Sequence, residues 1–164
     1  MKKITYMLIV ALLLGACGQQ TADHTAHEAA EQVDSTTTVV MYNRSTDEGG
    51  TAVAGDELAY SYAKDGSLTQ FLLTNLEYMA YVKDYAVSQD EKTVTINFKD
   101  SVMKTNIFQG STGADYSVDA IGKTFFQNMP KLETLQLRKE GKKQEMDHMR
   151  FDDYHKRDFE LGKS

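Results

Sequence analysis

The chain has 164 residues, and its 24 acidic side chains outnumber 18 basic ones to give a formal charge of −6. That balance argues against nucleic acid, whose binding rests on neutralising phosphates, and against direct adsorption to anionic lipid. A lone cysteine excludes an internal disulfide and a cysteine metal site, so stability must come from a core, for which a chain of this length suffices.

The N-terminus reads as an export leader. Lys2 and Lys3 supply a positive end, residues 4–14 are mostly apolar, and Gly15 and Ala16 are small. The apolar run is shorter than the roughly 20 residues a membrane-spanning helix needs. Leu14, Gly15, Ala16 and Cys17 resemble the bacterial lipobox. The resemblance implies cleavage before Cys17 and a diacylglycerol thioether on its sulfur. Two acyl chains anchor firmly where one is marginal, since each buried methylene contributes about 0.8 kcal/mol. The expected organisation is a leader over residues 1–16, a lipidated cysteine and tether over 17–36, a folded domain over 37–157 and a tail over 158–164. Loss of Lys2 and Lys3 with the leader leaves 16 basic against 24 acidic residues, a charge of −8. The expected location is the extracytoplasmic face of the cell membrane, reached through the lipid on Cys17.

Residues 18–36 are polar apart from Val33 and small alanines, too little to offset the entropy of ordering. His24 and His27 sit here with Asp23 and Glu28 nearby. The pattern admits a metal site, but a segment without a preformed scaffold reads better as a solvated linker.

Residues 37–42, TTVVMY, are β-branched and aromatic and predict a strand. A glycine-rich loop is expected over 45–57, then an extended stretch in which Leu58, Tyr60 and Tyr62 alternate with small residues. Ser67 and Gln70 match a capping box and open a helix expected over 67–80. Its apolar stripe is Leu68, Phe71, Leu72, Leu76, Met79 and Ala80. Tyr78, Tyr81 and Tyr85 are expected to roof the core rather than mark a ligand surface. Strands follow over 84–88 and 92–99, the second with Val94, Ile96 and Phe98 on one face. Gly110 and Gly113 predict a loop before a second helix, which carries Val118, Ile121, Gly122, Phe125 and Met129 along one side. Gly122 is expected to let that helix approach the sheet. Pro130 stops the helix near Asn128. Leu132, Leu135 and Leu137 begin the last main strand, and residues 140–143, EGKK, turn into a short final segment. The order strand-helix-strand-strand-helix-strand predicts an α+β fold, two helices on one face of a small mixed sheet.

SQDEKTVTINFKDSV and GSTGADYSVDAIGKTFFQNMPKLETLQLRKEGKK resemble the GerMN domain of sporulation and spore-germination proteins. Val94, Ile96, Phe98, Gly110, Ser111, Gly113, Ile121, Thr124, Pro130, Leu135, Leu137 and Gly141 carry the match, which spans roughly residues 37–149. Asn97 departs from it, standing where an aspartate is common. The resemblance implies a non-catalytic extracytoplasmic module, similar to the ring-building domains of secretion-type assemblies. It implies a protein partner or self-association, and no cofactor.

Chemistry by an enzyme has few candidates. GSTG lacks the central serine of a nucleophile elbow. An anion on this loop at the helix N-terminus would be opposed by Asp115 and Asp119. His148 and His155 lie among Asp147, Asp152, Asp153 and Asp158 near the C-terminus. Arg150, Lys156 and Arg157 interleave with these acids, and the segment reads as a solvated, self-neutralising tail. No catalytic residue, cofactor-binding residue or metal ligand is therefore assigned.

Overall fold

The computed structural model describes residues 35–43, 51–146 and 149–161. Cys17 with Leu14, Gly15 and Ala16, the His24–His27 pair, Asp147 and His148 lie outside them. Strands β1 (Thr37–Asn43) and β2 (Val53–Tyr60) form an antiparallel hairpin. Residues 53–57 of the loop expected over 45–57 thus open β2, and these mostly small and acidic residues are exposed and lack an apolar alternation to announce a strand. One helical turn, α1 (Tyr62–Asp65), leads to α2 (Leu68–Asn75).

Ser67 caps α2 as expected, its Oγ accepting from the Gln70 amide at 3.2 Å. The helix ends earlier than its apolar stripe implied. Glu77 has φ of 64°, the Tyr78 amide donates to Leu73 O and the Glu77 amide to Thr74 O. This is a Schellman stop with glutamate where glycine is usual, which conceals it in the sequence. Met79–Tyr81 continue as a 3-10 turn. Tyr78 does roof the core, buried and stacked on Phe108 at 6.3 Å between ring centroids.

Strands β3 (Val82–Val87), β4 (Thr93–Phe98), β5 (Thr134–Lys139) and β8 (Asp153–His155) form a mixed sheet in the order β3-β4-β5-β8. The central β4–β5 pair is parallel and the flanking pairs antiparallel. A parallel pair needs a long crossover, and α3 (Ser111–Asn128) supplies it. The register sets Val94 beside Leu135 and Ile96 beside Leu137. These four, with Leu72 and Leu73 of α2 and Ile121 and Phe125 of α3, are fully buried in one core. The opposite face is polar, with Thr95 donating to Gln136 at 2.9 Å. The fold is α+β.

Helix α3 begins at Ser111, so Gly113 lies within it rather than in a preceding loop. Its end at Asn128, before Pro130, agrees with the expected stop. From Ala120 to Phe126 every residue is buried, because three layers surround it. The four-stranded sheet takes Ile121 and Phe125. The C-terminal segment takes Gly122, where a Cβ would overlap the Phe159 ring; the close approach is to Phe159, not to the sheet. The third layer is the β1–β2 hairpin, gripped by polar side chains. Asn128 accepts from Val40 N at 2.9 Å and donates to Val40 O at 2.7 Å. Thr124 accepts from Tyr42 N at 3.0 Å. Asp119 accepts from Ala52 N at 2.6 Å, and Lys123 donates to Ala52 O at 3.0 Å. Side chains of one helix thus satisfy backbone groups that an edge strand would otherwise leave open.

After β5 the chain reverses through Glu140 and Gly141, at φ of 47° and 77°. Lys139 and Lys142 exchange both backbone hydrogen bonds across them. Positive φ at both central residues is what a type I′ two-residue hairpin turn requires. The Glu140 carboxylate, in turn, holds Lys83 at 2.6 Å and the Asp100 amide at 3.1 Å.

The last part of the chain departs most from expectation. The stretch read as a solvated tail forms β6 (Gln144–Met146), β7 (Met149–Phe151) and β8. Met149 and Phe151 are buried, and Phe151 meets Phe98 and Phe108 at 6.1 and 5.7 Å between centroids. Packing continues beyond residue 157, with Phe159 on Phe126 at 5.1 Å and Leu161 against the core.

Candidate functional site

The exposed side of the N-terminal half of α3 carries Asp115, Val118 and Asp119, one helical turn apart. The β6–β7 hairpin rises opposite, bringing Glu145, Met146, Met149 and Arg150. Tyr154, Asp158 and Phe159 close the third side. The three walls enclose a cleft of about 520 Å³, within the range of ligand sites.

Its floor is apolar. Phe159 is held by the gap at Gly122 and by Phe126, and Tyr154 meets it edge-on at 6.4 Å. Met149 is buried and Met146 partly so. The rim is acidic, with four carboxylates, Asp115, Asp119, Glu145 and Asp158, against the one guanidinium of Arg150. Two of the four have structural duties. Asp119 pairs with Lys123 at 2.9 Å, and Asp158 accepts from the His155 amide at 3.3 Å, with Arg157 at 3.6 Å. Asp115 on α3 and Glu145 on β6 are exposed, and Glu145 lies across the hairpin from Arg150. Arg150 is drawn sideways to Asp152 at 2.9 Å, which leaves the field of the rim negative.

Burial, reinforced by the charges of Asp152 and Asp115, pushes the Tyr154 phenol up to about 12. It stays protonated and donates to Arg150 O at 2.6 Å, bracing β8 against the hairpin. The group is a strut and has no basic form near neutral pH.

Outside the cleft, the acids of the same segment are neutralised, though largely by residues from elsewhere in the chain. Arg138 meets Asp153 at 2.6 Å, and Lys143 reaches both Asp152 and Asp153 at 2.9 Å. Burial pushes the Asp153 carboxyl up, but hydrogen bonds from Lys143 and Arg138 outweigh it and hold the group below the ordinary carboxylate range. The hydrogen bond from Lys143 likewise lowers Asp152. Lys156 instead donates to Pro130 O at 3.2 Å. His155 is exposed on the sheet edge, with Nδ1 3.3 Å from Thr134 Oγ1, and does not line the cleft. Among the described residues, no group of three or more His, Cys, Asp or Glu side chains is arranged to hold a metal ion.

No family model, curated protein or solved structure matches the chain.

The cleft joins elements far apart in sequence. Asp115 reads locally as an obstacle to anion binding at the start of a helix, and Glu145 as one charge in a polar tail. The available signal was the alternation of Met149 and Phe151 about Arg150, which fits a short strand with one buried face better than a tail.

Proposed function

We propose that this protein is a lipid-anchored extracytoplasmic lipoprotein that acts as a non-catalytic binding or assembly module of the cell envelope. The carrying observation is the cleft, an apolar floor beneath a carboxylate rim on a rigid helix–sheet scaffold, the make-up of a recognition surface. The leader ending in Leu14-Gly15-Ala16-Cys17 supports the anchor. The GerMN-like pattern supports an assembly role in the envelope, with sporulation or germination as its biological setting.

One observation favours a second reading, an extracytoplasmic hydrolase or a small-ligand or metal-binding lipoprotein. The chain that joins β6 to β7, the two strands forming one wall of the cleft, contains Asp147 and His148. The readings separate in a complementation experiment. A His148→Ala/His155→Ala double variant, shown to fold and to remain membrane-bound, is expected to rescue a deletion strain close to wild type. Complete loss of rescue by that variant, together with loss of a bound metal or of a hydrolytic activity, establishes the second reading instead.

A further inference from the structure

We propose that the cleft receives a cationic amphipathic peptide segment of a partner protein, with lysine or arginine side chains flanking a large apolar one. The inference rests on the binding-module reading and adds to it the chemistry of the ligand.

Three features select this occupant. First, the rim offers acceptors and almost no donors. Four carboxylates line it from α3, β6 and the C-terminal segment, the Arg150 guanidinium is turned to Asp152, and the Tyr154 hydroxyl is used on a backbone carbonyl. A ligand must therefore bring its own N–H donors, and positive charge makes those hydrogen bonds the stronger kind. Anionic ligands and anionic lipid meet a like-charged rim.

Second, Asp115 of α3 and Glu145 of β6, two separate elements, line the same cleft as the apolar side chains of its floor. Cations on both sides of an apolar group complement that arrangement, whereas a thin polyamine leaves the floor unfilled. Third, two of the floor side chains are methionines, Met146 and Met149. Unbranched thioethers repack around differently shaped partners, which suits a peptide-binding surface.

The test uses the full anchored chain in detergent micelles. Fluorescence anisotropy follows a labelled six-residue probe of alternating lysine and leucine. Binding is expected to weaken as salt rises, and to weaken at least tenfold in an Asp115→Asn/Glu145→Gln double variant. Both of these residues are exposed, so the variant should keep its circular dichroism spectrum. Glu57→Gln in β2, outside the cleft, should bind like wild type. A probe with glutamate for lysine should not bind, and one with glycine for leucine should bind at least tenfold more weakly.

Absence of binding overturns the proposal, as does equal binding by the double variant. Equal binding of the glycine probe, or its displacement by spermidine at matched concentration, overturns it in favour of a site for polycations. If the probe fails while the histidine double variant still rescues the deletion strain, only the ligand assignment falls and the binding-module reading stands.

Discussion

Phe125→Ala should destabilise the protein by about 3–5 kcal/mol, the cost of removing a large aromatic from a packed core. Phe125 is fully buried on α3 in the same core as Val94, Ile96, Leu135 and Leu137. The helix is also pinned on its other sides by the hairpin and by Phe159, so it has little freedom to collapse into the space left behind. Ser67→Ala provides the scale for comparison. It removes the cap on Gln70 N and the 2.9 Å contact to the Tyr85 hydroxyl, and should cost only about 1 kcal/mol. Urea melts of the two variants decide the matter. A cap mutation more costly than the core mutation would contradict the assignment of helix faces.

Asp119→Ala should cost about 3 kcal/mol, although its position on a helix facing a cleft suggests a neutral surface change. The Lys123 side chain is only 7% exposed, while that of Asp119 is 20% exposed. Removing the carboxylate leaves a buried ammonium that keeps its hydrogen bond to Ala52 O but loses its counter-charge, and frees the Ala52 amide as well. Breaking one half of a buried pair is strongly destabilising, at about 3–5 kcal/mol, and the partial exposure of Asp119 places this case at the lower end. A double-mutant cycle with Lys123→Met measures the coupling. Additive losses would show that the two side chains hold the hairpin independently.

Helix α3 also shows where local pattern stops being informative. Its apolar stripe and its proline stop are periodic signals and were legible as such. Asp119, Lys123, Thr124 and Asn128 follow no less regular a spacing, but polar residues at helical intervals ordinarily mean solvent. Their role depends on Ala52, 67 and 71 residues from Asp119 and Lys123, and on β1, 82 residues from Thr124 at Tyr42; Asn128 alone exchanges two hydrogen bonds with Val40 across a separation of 88 residues. Long-range satisfaction of a strand edge has no local signature. The same holds for Gly122, whose partner Phe159 lies in a segment that composition alone presented as a tail.

The four-stranded sheet was more readable, because Val94, Ile96 and Phe98 alternate strictly with Thr93, Thr95 and Asn97. Helix ends were less so. Glu77 takes a conformation that costs a non-glycine residue about 1–2 kcal/mol, and the buried Tyr78–Leu73 closure that accompanies it is a tertiary effect. The cleft has no local signature, since its walls come from residues 115–119, 145–150 and 154–159, which only the fold brings together.

The central claim is a lipid-anchored module, and metabolic labelling with a fatty acid tests it most directly. Wild-type protein should incorporate the label and sediment with membranes. Cys17→Ser should incorporate none, and should be found released or as an uncleaved precursor, because the acyl chains then have no sulfur to join. Equal labelling of wild type and Cys17→Ser would contradict the account.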